Sequence, residues 1–327
     1  MISPSSPSGG GRPPPLLFWA FFAAGAVVLA LAPLALNNYW LRVLTTVFMY
    51  ATVTQGLNVI VGLTGYHAFG NAVFFGFGAY ACGVAMTLGA PFPVALIAAV
   101  AFSALVAGIV GWPILRLRGH YFAIATVALN LAAIQLVIQV GGVTGGAEGL
   151  PLPLSDLPPG PLYRAIYLVM LAGMVVSTLL VAFILTRPFG YALRAIRDGE
   201  RAAGVMGIDT TATKVAAWAL SAGITGFAGG VWAYWITFIE PASAFDPAIG
   251  VKAYMMLILG GMGTVIGPVL GAFVLEFLST LVWGGFLQAH QIVFGVLIVV
   301  ICLVAPNGML VAGRSLIQRW RSRHGAA

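Results

Sequence analysis

Long apolar runs separated by short polar interruptions organise this chain. The run LLFWAFFAAGAVVLALAPLAL, residues 16–36, reaches the ~20 residues needed to cross a hydrocarbon core as a helix. By the same criterion the pattern predicts spans over 41–62, 67–89, 94–115, 120–140, 164–186, 215–238, 265–284 and 288–307. A further apolar piece, 250–262, is too short to cross unless it is a half-helix. The implied fold class is all-α: a polytopic transmembrane helix bundle of about ten spans. The first run exceeds the ~7–15 apolar residues of a signal-peptide core, and no small-residue cleavage site precedes Asn37 and Asn38, so it is read as a retained span.

The polar interruptions orient the bundle. Arg116 and Arg118, then Arg187, Arg194, Arg197, Arg201 and Lys214, then Arg314, Arg319, Arg321 and Arg323 mark three segments as cytoplasmic, because loops rich in Lys and Arg stay inside. The Gly/Pro-rich loop 141–161 and the segment 240–247 carry acidic residues and no basic ones, and so are external. Ten crossings with both termini cytoplasmic satisfy all of these assignments. The domain expectation is a disordered Ser/Gly/Pro-rich tail over 1–15, a transmembrane domain over 16–311 with a cytoplasmic loop at 187–214, and a basic cytoplasmic tail over 312–327.

Composition narrows the class further. Of 327 residues, 61% are hydrophobic and only 7% charged, against roughly 25% charged in soluble domains. The net charge of +7 sits in loops, where topology explains it without nucleic acid. Cys82 and Cys302 both fall in spans, which indicates neither a disulfide nor a metal site. No G-x-x-x-x-G-K-[ST], H-E-x-x-H or G-x-S-x-G pattern occurs, so the chain is expected to be no enzyme and to have no ATP site or cofactor of its own. Glu276 is the only acidic residue well inside a predicted span, whereas ion-coupled carriers use several.

Small residues at four-residue spacing, Ala72 with Gly76, Ala104 with Gly108, Gly226 with Gly230 and Gly267 with Gly271, suit close helix packing in lipid. Gln55 and Asn58 share a helix face with Thr52, and Thr126 shares one with Asn130. Two readings of these polar groups stand side by side: hydrogen-bonding glue between helices, and the lining of a solute path. Two Gly-broken stretches echo each other, GLTGYHAFGNAVFFGFGAY at 62–80, with Gly65 and Asn71, and GGMGTVIGPVLGAF at 260–273, with Gly261 and Gly263. Broken helices in corresponding halves point to a transport pathway, so these residues join Gln55, Asn58, Thr126 and Asn130 as candidate path residues.

The stretch GYALRAIRDGERAAGVMGID, residues 190–209, concentrates charge that the chain otherwise avoids. Its Ala, Leu, Arg and Glu favour a helix that Gly207 stops, with Ala202 and Ala203 expected as an exposed small-residue patch for docking. Glu200, Arg201, Ala202, Ala203 and the following Gly207 resemble the degenerate E-A-A-x-x-x-G coupling segment of ABC importer permeases. The neighbouring KVAAWALSAGITGFAGGVWA, GLNVIVGLTGYHAFGNAVFFGFGAY, LRLRGHYFAIATVAL, GGVTGGAEGLP, GGMGTVIGPVLGAF and Pro306-Asn307-Gly308 resemble, in order, branched-chain amino acid permeases of the LivM type. His67, Glu148 and the Pro-rich tail depart from that pattern.

The resemblance implies a permease of the bacterial inner membrane that pairs with a homologous permease, two ATPases that bind the ATP, and an extracytoplasmic solute-binding protein. It assigns Gly190, Arg194, Arg197, Glu200, Ala202, Ala203 and Gly207 to ATPase coupling. Branched-chain or other hydrophobic amino acids are the expected solutes, with urea, short amides or other small solutes as the alternative. A secondary carrier or channel working without ATPases is the rival from another class.

Overall fold

The computed structural model describes residues 16–117, 119–153 and 158–283. The tails at 1–15 and 312–327 and the span at 288–307 lie outside the described residues. Twelve helices follow in chain order: α1 (Leu16–Leu31), α2 (Asn38–Leu57), α3 (Ala72–Thr87), α4 (Phe92–Ile114), α5 (His120–Gln139), the short α6 (Gly141–Thr144), α7 (Pro159–Leu185), α8 (Pro188–Val205), α9 (Thr210–Ile236), the short α10 (Pro241–Ala244), α11 (Pro247–Gly260) and α12 (Gly267–Trp283). Among the described residues, seven helical segments are long and apolar enough to cross a membrane, and two shorter apolar helices accompany them. The protein is an all-α, polytopic bundle.

Chain ends of the helices follow local chemistry. The Asn37 side chain accepts from the Trp40 amide at 3.2 Å and starts α2, and Asp209 accepts from Ala212 at 3.0 Å to start α9. Helix α7 begins at Pro159, five residues before the expected 164, because a proline at the first helical position gives up an amide that has no partner there anyway. Helix α3 begins five residues later than expected. Residues 65–68 are non-helical, Gly65 takes φ +75°, and a 3-10 turn at Phe69–Asn71 leads into Ala72.

At one end of the bundle the loops after α6 and α9 are joined by a two-residue antiparallel ladder, β1 (Leu150–Pro151) with β2 (Phe238–Ile239). The sequence pattern held no sign of it. At the other end the Lys214 ammonium donates to the Leu115 carbonyl at 2.9 Å, which brings the α4–α5 turn to the start of α9. The acidic loops therefore cluster at one end and the basic ones at the other. After β2 the chain turns back into the bundle: Phe245 is fully buried against Phe77 and Tyr80, with ring centroids 5.4 and 5.9 Å away. Helix α11 thus begins inside the bundle; its 14 residues alone rise only about 21 Å, and it is together with α10, over Pro241–Gly260, that it counts among the seven segments long enough to cross.

Helix α9 is the central post, packed against α2, α3, α4 and α7. Its small residues permit that: a Cβ placed on Gly226 would lie 2.2 Å from Ser103 Oγ, and one on Gly229 would lie 2.0 Å from the Phe75 carbonyl oxygen. Gly108 has open space instead. We expect Gly229→Ala to force α3 and α9 apart at a cost of about 1–3 kcal/mol. Gly108→Ala should be neutral or stabilise by up to ~1 kcal/mol through helix propensity. Apparent melting temperatures of the purified protein in detergent check the pair: a drop for the first and none for the second.

Candidate functional site

Helix α2 ends in a π-helical turn over Asn58–Gly62, a widening that turns Asn58 toward the loop joining α11 to α12. Within that loop, 261–266, only the end groups keep helical hydrogen bonds, the Gly261 amide to Leu257 and the Ile266 carbonyl from Leu270, and at membrane depth each remaining peptide group needs a partner. Side-chain amides supply them. The Gln55 Nε2 group donates to the Val265 carbonyl at 2.7 Å and to Thr178 Oγ1 at 3.2 Å. Asn58 Nδ2 donates to the Thr264 carbonyl at 2.9 Å, and its Oδ1 accepts from the Gly263 amide at 2.8 Å. Gly263 sits at φ +75°, where a Cβ would also fall 2.9 Å from Arg197 Nη1 and 3.0 Å from the Gly62 carbonyl oxygen.

Helix α8 closes this node from outside the bundle. Arg197 Nη1 donates to the Gly62 carbonyl at 2.8 Å, at the point where the end of α2 leaves carbonyls unmatched. Glu200 reaches the start of α9, where its Oε1 meets Lys214 Nζ at 2.7 Å while the Tyr66 hydroxyl donates to its Oε2 at 2.6 Å. Lys214 is 2% exposed and Glu200 17%, so the pair is largely shielded from solvent. Arg194 caps α7 by donating to the Leu185 carbonyl at 2.9 Å, and Gly190 makes the tight turn between the two helices, its Cα facing the Ile184 carbonyl. The charges of 190–209 are thus used largely within the chain, to bind α8 to α2, α7 and α9.

Gly207 takes φ +89° and ends α8 in a paired motif: its amide donates to the Gly204 carbonyl, and that of Ile208 donates to the Ala203 carbonyl, both at 3.1 Å. The expected exposed Ala202–Ala203 patch is corrected by the packing. Ala202 is exposed, but Ala203 is 2% exposed, because the turn before Gly207 puts it against the bundle. What projects instead is Val205 and Met206, 90% and 79% exposed.

The path candidates divide into two groups. Gln55, Asn58, Gly65, Gly261 and Gly263 gather at the node, with Gly65 facing Arg197 Cγ. Asn71, Thr126 and Asn130 lie deeper. Asn71 bonds Ser221 and Thr225 and accepts from Trp218 Nε1, each at 3.2 Å, while Thr126 Oγ1 accepts from the Gly70 amide, also at 3.2 Å. Asn130 Nδ2 donates to the Phe245 carbonyl at 2.9 Å, and its Oδ1 has no hydrogen-bond partner among the described residues. Hydrogen bonds within the protein therefore occupy most of these groups.

Sequence reasoning missed Tyr66, Lys214, Trp218 and Ser221. One signal was present: Lys214, Trp218, Ser221 and Thr225 recur at four, three and four residues, a stripe along one face of α9. In the sequence Lys214 counts as a topology charge, and nothing local marks it as buried.

The family model described as branched-chain amino acid transport system / permease component matches residues 39–302. Among curated relatives, the high-affinity branched-chain amino acid transport system permease protein LivM of Salmonella typhimurium is 29% identical over 88% of this chain and 74% of its own length. LivM of Escherichia coli is likewise 29% identical over 88% and 74%. The autoinducer 2 import system permease protein LsrC of Salmonella paratyphi B is 28% identical over 83% and 82%. No solved structure matches the chain.

Removing Lys214 strands the Glu200 carboxylate in a shielded site. We expect Lys214→Met to cost about 3 kcal/mol, the low end for a broken buried pair because Glu200 keeps its Tyr66 bond. Adding Glu200→Gln should recover a large part of that loss. A double-mutant cycle on unfolding in mixed micelles measures the coupling, and purely additive effects would contradict the shielded pair.

Proposed function

The chain belongs to the branched-chain amino acid transport system permease family, and we propose that it is the LivM-type membrane subunit of an ABC importer for branched-chain or other hydrophobic amino acids, driven by partner ATPases in the bacterial inner membrane. In this reading it pairs with a homologous permease and receives solute from an extracytoplasmic binding protein. ATP is bound by the ATPases. Likeness to LsrC, a permease of an autoinducer 2 import system, keeps the family's solute range wider than amino acids, whereas likeness to LivM over 88% of the chain favours them.

The observation that carries the coupling is the attachment of α8. Through Arg197 and the Glu200–Lys214–Tyr66 cluster, α8 is tied to the π turn of α2, to the non-helical stretch before α3 and to the start of α9. Helix α8 bends at Gly199 (φ 179°, ψ 98°), between Arg197 and Glu200, so a displacement of its C-terminal half acts directly on the stretch before α3 through Glu200 and reaches the end of α2 through the bend and Arg197. Val205 and Met206 form the outward face at the end of α8, and an exposed apolar pair outside the membrane-spanning length suits contact with another protein. ATPase closure would push on that face, and the node would pass the movement to the broken helices. Recognition would rest mainly with the binding protein.

Reconstitution tests this reading. The chain with its partner permease, ATPases and binding protein should give ATP-dependent leucine uptake in proteoliposomes, and the chain alone should give none. Val205→Glu with Met206→Glu should abolish ATPase co-purification and reduce uptake at least ~tenfold, since a buried apolar contact is replaced by desolvated charge. Uptake by the chain alone, or full uptake by the double variant, would overturn the coupling.

A further inference from the structure

Away from the node, a cavity of about 510 Å3 opens between α2, α9, α11 and α12. Its wall contains Arg42 and Thr46 from α2, Trp235 from the end of α9, Lys252 from α11, and Glu276 and Ser279 from α12. Lys252 Nζ and Glu276 Oε2 are 2.6 Å apart, with side chains 18% and 10% exposed, and the ammonium also lies 4.4 Å from the centre of the Tyr50 ring. Glu276 lies about two and a half turns into α12, well within its apolar length. Arg42 bonds the Tyr163 hydroxyl and stacks on its ring, and no carboxylate lies within ion-pairing distance of it among the described residues.

Two opposite charges inside apolar helices are costly, and such a pair adds little stability over an apolar one of the same size. A pair of this kind is a mark of function when it borders open volume. The three charges sum to one excess positive, which favours a solute carrying a carboxylate. A zwitterion can enter by exchanging partners: its carboxylate replaces Glu276 beside Lys252, its ammonium replaces Lys252 beside Glu276, and no ion is left without a counter-ion. A neutral amide offers no such exchange, a simple cation adds to the excess positive charge, and a simple anion can pair with Arg42 but cannot take the place of Lys252 beside Glu276.

We propose that this cavity is a transient binding site for the zwitterion of an α-amino acid, with Arg42 and Lys252 taking the carboxylate, Glu276 the ammonium, and Trp235 the apolar side chain. Thr46 and Ser279 supply hydroxyl contacts. The volume falls within the ~300–1,000 Å3 of small-molecule sites. The proposal rests on the amino acid reading of the transporter and adds where within this chain the solute is held.

Protection of an introduced thiol tests it in the assembled transporter. With Cys302→Ser to clear the background, Ser279→Cys should react with a small water-soluble thiol reagent, and millimolar L-leucine should slow that reaction. Leucinamide, which lacks the carboxylate, should not, and 4-methylpentanoate, which lacks the ammonium, should slow it only weakly through Arg42. Glu276→Gln should leave labelling intact and weaken protection about tenfold, the loss of one charge-assisted contact. Should that variant fail to assemble, Lys252→Gln with Glu276→Gln keeps the cavity's charge balance, and it should be labelled without protection.

Absence of labelling, or an unchanged rate with leucine in a complex that transports leucine, overturns the cavity site while leaving the importer reading in place. Protection by urea or isobutyramide, or protection persisting in the double variant, overturns the zwitterion. A complete complex that fails to move leucine at all overturns the underlying reading instead.

Discussion

A peptide group without a hydrogen-bond partner is costly wherever water is absent, and that constraint governs this protein. Regular spans meet it internally. The segments that leave the α-helix, 65–71 and 261–266, cannot, and the chain answers with Gln55, Asn58 and Thr126, amides and a hydroxyl directed at their backbone atoms, as Asn130 is directed at the Phe245 carbonyl. Side chains that would suit a solute path are thereby also the ones that make broken helices tolerable. A segment held by a few side-chain bonds is easier to rearrange than a continuous helix, so the same solution leaves these stretches as the places where movement is cheapest.

Charge is placed by the same economy. In lipid an ion needs a counter-ion or a function, and the described residues show two largely shielded ion pairs, Lys214–Glu200 and Lys252–Glu276. The first joins α8 to α9 at the end with the basic loops and belongs to the node through which force would enter. The second borders an open cavity between α11 and α12. In the proposed reading they would serve the two tasks of an importer subunit, receiving force and passing solute, in separate parts of one bundle linked by the α11–α12 loop.

Much of the fold was legible in the chain. Among the described residues, apolar length located the spans to within about five residues, and loop charge sorted the ends correctly enough that the two acidic loops prove to be joined by β1 and β2. The short piece expected near 250–262 is the short helix α11. The misplaced start of α3 has a local reason: hydropathy does not register that residues 65–68 are non-helical and that a 3-10 turn precedes Ala72. The β1–β2 ladder is two residues long and joins segments far apart in sequence, below any periodic signal. The site was only partly legible. Asn58 and Gly263 were singled out separately, but their bond spans 205 positions, and Ala203 was assigned to the surface because helix composition does not say which face meets a neighbour.

Sequence by itself determined that this is a multi-span helical membrane protein and which loops bear the charge, because those properties depend on counts and on periods along one segment, while its family showed in the order of motifs along the chain. Only the tertiary structure decided that Glu200 meets Lys214, that Arg197 holds the end of α2, and that Glu276 shares a cavity with Lys252 and Arg42. Each of those pairings depends on how separate helices are rotated about their own axes, and rotation is set by packing of small residues against neighbours, as at Gly226 and Gly229, rather than by anything local to the charged residue.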